Sequence, residues 1–394
     1  MTQFRPVPAL AATRRQTLAA LAAAPLAAGL PAPAPAAAPG GADGLNALAA
    51  RKGRRFGTCI ATWPGRRRSA GIENPAYAAI AARECGVLVP ENQLKWQYIR
   101  PDAAHYDFAA MDRIVRWAHT HGQAVRGHTL LWHRPRWFPA WLNVHDFGAN
   151  PRAAAEAMLT GHIRTVCARY QGTITSYDVV NEAIDHDSNG LMETSLSRAI
   201  GSAEATLDLA FHAAREAAPG AQLVYNDYMS WEPQHRTHCR DVLRLLEGFR
   251  KRGTPVDALG IQSHIEVFGI DPATGSGRYA EAEWRRFLDE VVAMGYRLVI
   301  TEFDVKDKAL PAGIAARDAA VADFARRYFE VMLAYPQLGD ILAWGMVDRF
   351  SWLQGFTPRA DGLEVRAAPY DSAYRAKPLR AAIARALAGA VPAA

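Results

Sequence analysis

The sequence predicts an α/β protein folded as a single (β/α)8 TIM barrel, and three observations lead there. The chain has 394 residues, half of them hydrophobic, which suits one large core. Eight short apolar runs alternate with longer stretches of helical periodicity. Almost every apolar run ends abruptly in carboxylate, amide or imidazole residues. Eight β-then-α units close into a parallel barrel more naturally than they spread into an open sheet. Right-handed crossovers leave few other topologies, and barrels of this length routinely form one domain.

Taken in order, residues 1 to about 40 do not read as fold. Thr13-Arg14-Arg15-Gln16-Thr17-Leu18 precedes an apolar alanine-leucine stretch, 18–30, and then Pro- and Ala-rich sequence. A charged start, an apolar region and small residues make an export signal, and the paired arginines point to the twin-arginine route. Thr17 stands where that pattern usually has Phe. Several Ala-x-Ala sites between Ala32 and Ala38 compete for cleavage. The expected division is therefore a leader over 1–40 and a catalytic barrel over 41–394, exported to the periplasm or the medium and working as a monomer.

Strands are expected over 55–61, 86–89, 124–131, 176–181, 222–226, 258–263, 297–302 and 341–346. Helical periodicity covers 109–119, 152–170, 203–217 and 316–334, and a last helix runs near 378–387. The polar strand exits are Glu91-Asn92, His128 and His133, Asn181-Glu182, Asn226-Asp227, Gln262 and His264, and Glu302 and Asp304. In a barrel these ends meet on one face, where active sites are built. Loop chemistry alone would favour Gly, Ser and Lys at such positions. Trp117 and Trp284 fall on helices and are expected in the core. No linker, repeat or aromatic-rich module follows the last helix.

Composition excludes several classes. No apolar run reaches the roughly 18 residues that cross a bilayer, so no membrane association is expected after processing. The formal net charge is +6, and Arg5, Arg14 and Arg15 of the leader supply about half of it. The other arginines are dispersed, not interleaved with aromatics in a stripe, which argues against nucleic acid. Cys59, Cys85, Cys167 and Cys239 are scattered without zinc spacing and read as small buried hydrophobes. Neither a metal nor a cofactor is implied.

Two carboxylates carry the chemistry. Glu182 ends the fourth strand and Glu302 ends the seventh, so they face each other across a barrel mouth. Glycoside hydrolysis needs such a pair: one group protonates the leaving oxygen, the other attacks the anomeric carbon or activates water. A charge following a buried apolar strand is costly unless it has work or a partner. His264 is placed to hydrogen-bond Glu302, with Asp304 orienting the imidazole. Glu182 needs the less polar surroundings, so that the two acidities separate. The amide of Asn181 can donate to a sugar hydroxyl near the reacting centre.

Together these strand-end motifs resemble glycoside hydrolase family 10, from about Leu45 to about Ala388. Asn181-Glu182-Ala183 resembles that family's acid/base motif, and Ile300-Thr301-Glu302-Phe303-Asp304 its nucleophile motif. The resemblance implies a retaining endo-β-1,4-xylanase acting on xylan and xylo-oligosaccharides. By the match at Glu91-Asn92-Gln93-Leu94-Lys95-Trp96, residues Glu91, Asn92 and Lys95 bind xylose on the non-reducing side. The match over Gly127 to His133 gives His128 and Trp132 to the subsite of the reacting sugar. Tyr228, in Asn226-Asp227-Tyr228, is implied as a platform beyond the scissile bond. Gln262 and His264 match the sixth-strand motif, and Trp344 and Trp352 the pair of tryptophans after strand eight. The stretch His133-Arg134-Pro135-Arg136 departs from the pattern: many relatives are longer here and carry a Gln, for which Arg134 or Arg136 would substitute. The loop over 185–194 also looks short, and Arg349-Phe350 is placed to alter the lid over the reacting sugar. A barrel acting on β-1,4-glucan or mannan, a non-catalytic glycan-binding barrel, and a metal-dependent hydrolase built on His128, His133, Asp227 and His264 are the rival readings.

Overall fold

The structure is a computed structural model that describes residues 44–65, 69–185, 190–269 and 278–394. The leader expected over 1–40 lies outside the described residues. Eight parallel strands form the barrel: β1 (Phe56–Ile60), β2 (Val87–Pro90), β3 (Ala124–Trp132), β4 (Ile174–Asn181), β5 (Gln222–Asp227), β6 (Ala258–Ile261), β7 (Arg297–Lys306) and β8 (Leu338–Ala343). Each pairs with its sequence neighbour, and β8 pairs with both β7 and β1, which closes the sheet.

A helix α1 (Leu45–Ala50) precedes β1. Between and after the strands run α2 (Pro75–Glu84), α3 (Ala109–Thr120), α4 (Pro151–Arg169), α5 (Ala203–Ala217), α6 (Arg236–Arg252), α7 (Glu281–Ala293), α8 (Ile314–Met332) and α9 (Pro378–Gly389). Their starts are chemically marked. Asn74, Asn150 and Ser202 each accept a hydrogen bond from a backbone N–H of the first turn, and Pro75 and Pro151 occupy the position where no donor is needed.

Strand side chains alternate between two cores. Phe56, Leu88, Leu223 and Leu298 face the helices. Cys59, Val87, Val89, Val224, Ala258, Val299 and Leu342 fill the barrel interior beneath Trp344. All four cysteines are free thiols, three of them buried and Cys239 partly so. Trp284 is buried as expected, whereas Trp117 is half-buried and stacks on His121, 3.9 Å between ring centroids.

Three strands end two or more residues from where the sequence reading puts them. β7 runs four residues past Glu302, because Asp304 to Lys306 pair with a short extension, His264–Glu266. β8 begins and ends three residues earlier than expected, so Trp344 and Met346 follow the strand. β6 stops at Ile261, and Ser263 takes a left-handed conformation, φ 61°, that ends regular pairing. Ile184–Asp185 pairs antiparallel with Gly190–Leu191.

Candidate active site

The C-terminal strand ends open onto one cleft of about 590 Å³. Glu91, Asn92, Lys95, His128, Trp132, Asn181, Glu182, Tyr228, Gln262, His264, Glu302, Trp344 and Trp352 all line it. Asp304 lies just behind, buried, and accepts a hydrogen bond from Trp352 Nε1 at 2.8 Å.

Glu302 sits at the centre of a polar cage. Its Oε1 accepts from Asn226 Nδ2 at 2.8 Å, and its Oε2 lies 3.3 Å from His264 Nε2. The other ring nitrogen of His264 is 3.0 Å from Asp304 Oδ2, off the hydrogen-bonding direction, so that contact is an ion pair. Burial disfavours the imidazolium, yet the charges of Asp304 and Glu302 outweigh it and raise His264 to about 9. Burial would likewise raise Glu302, but the His264 hydrogen bond and the charges of His128, His264 and Lys95 hold it below the usual carboxylate value.

Glu182 has opposite surroundings. Burial raises its pKa, and the charges of Asp227 and Glu302 push the same way. The hydrogen bond from Gln262 Nε2, 2.9 Å to Oε1, and the charge of Arg134 pull back without reversing the direction. Trp132 Nε1 donates to Oε2 at 3.1 Å. An amide relay joins the two acids: Asn181 Oδ1 accepts from Asn226 at 2.8 Å and from Gln262 at 3.3 Å.

The walls are built from below and from the side. Arg126 Nη2 donates to Asp178 Oδ1 at 2.6 Å, and His128 Nδ1 donates to Asp178 Oδ2 at 3.0 Å, which turns the other imidazole nitrogen toward the cleft. Lys95 Nζ donates to Asn92 Oδ1 at 2.9 Å and lies 4.7 Å from the Trp132 ring centroid. Burial lowers the Lys95 pKa against the pull of Glu302, Glu91 and Glu182, and burial raises that of Glu91. Trp344 stands edge-on to His128 at 5.4 Å, and Trp352 lies 4.9 Å from His264.

Residues 44–386 match the profile described as Glycosyl hydrolase family 10. The chain belongs to glycosyl hydrolase family 10. Among its relatives, endo-1,4-beta-xylanase B of Thermotoga neapolitana is 31% identical over 309 residues, 78% of this chain and 82% of that protein. Native xylanase 10B of Thermotoga maritima superposes with a TM-score of 0.74 at 29% identity, covering 87% of this chain and 98% of that one. Xylanase 10B of Thermotoga petrophila RKU-1, solved in complex with xylobiose, gives 0.74 at 28% identity, over 87% and 97% of the two chains.

Within this family 10 hydrolase some contacts were not foreseen. Asn226, which the sequence places at a polar strand exit, is the donor to Glu302, a role that its motif does not assign. Phe350, expected to alter the lid, packs on Tyr77 at 5.8 Å instead, and Phe356 lies against Trp352 in the cleft, 4.6 Å between centroids. The four residues proposed for a metal have separate partners: Asp178 for His128, the Met192 carbonyl for His133, His238 for Asp227, and Glu302 for His264. Among the described residues no group of His, Cys, Asp or Glu is arranged to hold a metal, and no helix is long and apolar enough to cross a membrane.

Proposed function

We propose that this glycoside hydrolase is an endo-1,4-β-xylanase working by double displacement, with Glu302 as nucleophile and Glu182 as acid/base. The observation that carries the reading is two carboxyls lining one cleft in opposite surroundings: Glu302 beside His264 and Asn226, which fits a pKa held low, and Glu182 against Trp132 and Gln262, with its pKa raised by burial. In the first step a Glu302 oxygen bonds to the anomeric carbon while the glycosidic C–O bond breaks. The proton of Glu182 leaves with the aglycone oxygen. In the second step Glu182, now a carboxylate, takes a proton from water; the water oxygen bonds to the anomeric carbon and Glu302 is released. Esterification removes the charge of Glu302, one of the charges that kept Glu182 protonated, so the same residue becomes ready to act as base.

Glu91, Asn92 and Lys95 are assigned to xylose hydroxyls on the non-reducing side. His128, Trp132, Asn181, Gln262 and His264 surround the reacting sugar, and Tyr228 lies beyond the scissile bond. Trp344 and Trp352 cover the place where a hexose would carry its hydroxymethyl group, which favours pentose. The xylanases named among the relatives support the substrate class. Export belongs to the same proposal, since a polymeric substrate lies outside the cell and Arg14-Arg15 precedes an apolar run. The test is a product profile on glucuronoxylan with the anomeric form followed by NMR. Internal cleavage with initial β-anomer release is expected; initial α-anomer, or equal efficiency on cello-oligosaccharides, would overturn it.

A further inference from the structure

Arg134 occupies the stretch that departs from the family pattern, and its surroundings are built. The backbone is pinned on both sides. His133 before it is buried, its N–H donates to the Asn181 carbonyl at 3.0 Å, and its ring nitrogen meets the Met192 carbonyl at 2.9 Å. Pro135 after it opens a single 3-10 turn, Pro135–Trp137. From this anchor the guanidinium reaches three groups, two past the β4 exit and one past the β5 exit. Nη2 donates to the Ile184 carbonyl at 2.9 Å and to the Tyr228 hydroxyl at 3.1 Å, and Nε lies 3.1 Å from Glu182 Oε2. That last contact is off the N–H direction, so it is an ion pair and not a hydrogen bond.

We propose that Arg134 is a positioning residue that holds the Glu182 carboxyl toward the leaving group and sets the alkaline limit of glycosidic cleavage. The backbone makes such a device necessary. Glu182 has φ 52°, so regular strand geometry does not aim its side chain. Neighbouring groups must do so: among the described residues Trp132 and Gln262 donate to the carboxyl and are neutral, while Arg134 pairs with it as a charge. Among the described residues the other charges facing Glu182 are Lys95 from the β2 exit, Asp227 from the β5 exit and Glu302 from β7. Lys95 is engaged with Asn92 and the Trp132 ring, and the two carboxylates oppose ionisation of Glu182. Among the described residues Arg134 is the cation in direct contact. It keeps Glu182 from holding its proton too tightly to serve as base once the glycosyl-enzyme has formed.

This inference rests on the proposed acid/base role of Glu182, and the experiment separates the two. The pH dependence of kcat/KM on an unactivated xylo-oligosaccharide is measured for wild type, Arg134→Met, Arg134→Gln, Arg134→Lys and Glu182→Ala. Removing a cation from beside a carboxyl raises its pKa, so Glu182 stays protonated to higher pH. The alkaline limb should therefore move up by about one pH unit in the Met and Gln variants. Arg134→Lys should return it toward wild type. On an activated aryl xylobioside, kcat at acid pH should fall in the neutral variants, because less of the base is ionised. Limbs that coincide with wild type in whichever of the Met and Gln variants fold would overturn the role of Arg134. If Glu182→Ala keeps wild-type turnover of the unactivated substrate, the acid/base assignment itself fails.

Discussion

The two acids differ in what surrounds them, and their variants should differ accordingly. Glu302→Ala removes the atom that bonds to the sugar, so turnover should fall to background, and added azide should restore it by forming a glycosyl azide. Glu182→Ala should slow unactivated xylo-oligosaccharides by about 10²–10⁴-fold, while activated aryl glycosides lose far less, because only the former need protonation. Initial rates on the two substrate classes check this, and equal losses would contradict it. His264 gives a pH prediction. Its folded-state value is about 9 against an ordinary 6.5, raised by Asp304 and Glu302 against burial. A cationic group raised in the fold contributes stability that is fully present below the unfolded value and is lost as pH rises through the folded one. The melting temperature of wild type relative to His264→Gln should therefore decline between about pH 6.5 and about 9. A difference constant across that window would show that His264 is not charged in the fold.

At the scale of elements, strand spacing places the donors. A Cβ at Gly260 on β6 would lie 2.4 Å from Asn226 Oδ1 and 2.9 Å from a Val224 methyl. Gly260→Ala must therefore displace the amide that donates to Glu302. Overpacking of this kind costs about 1–3 kcal/mol, and kcat should fall beyond what the loss of folded protein explains. Thermal melts and active-site-normalised rates separate the two effects. Much of this layer was legible in the sequence. Apolar runs ending in Asn-Glu, Asn-Asp or Glu-x-Asp mark strand exits, because an apolar strand core and a polar mouth have opposite solvation. The end of β7 was not legible, since Asp304 to Lys306 stay in the sheet only by pairing with His264–Glu266, which are 40 residues away in sequence at the register pairs Asp304 and His264. The reach of Arg134 was not legible either. A loop side chain reaches groups past the β4 and β5 exits only after the barrel has curved them together, and no local periodicity encodes that distance.

The barrel as a whole must carry its mouth on a long return segment between β8 and α9, and buried charge fastens that segment. Asp307, just past β7, is fully buried and pairs with Arg317 of α8, which is equally buried. Arg317 also donates to the Glu364 carbonyl at 2.6 Å, and the Arg366 N–H donates to Asp307 at 3.3 Å. One carboxylate thus joins the seventh strand, the eighth helix and the segment that follows Trp352. Buried pairs are a weak source of net stability, but breaking one leaves an uncompensated charge in a dry interior. Asp307→Ala should cost about 3–5 kcal/mol, seen as a lower midpoint in urea. Replacing both partners, as in Asp307→Leu with Arg317→Met, should recover a large part of that loss, because no charge is then stranded. The double variant should still show a raised KM, since the apolar pair cannot hold Glu364 and Arg366 and so releases the segment carrying Trp352. If the double variant is as unstable as the single one, the aspartate acts through its hydrogen bonds to the return segment and not through its charge.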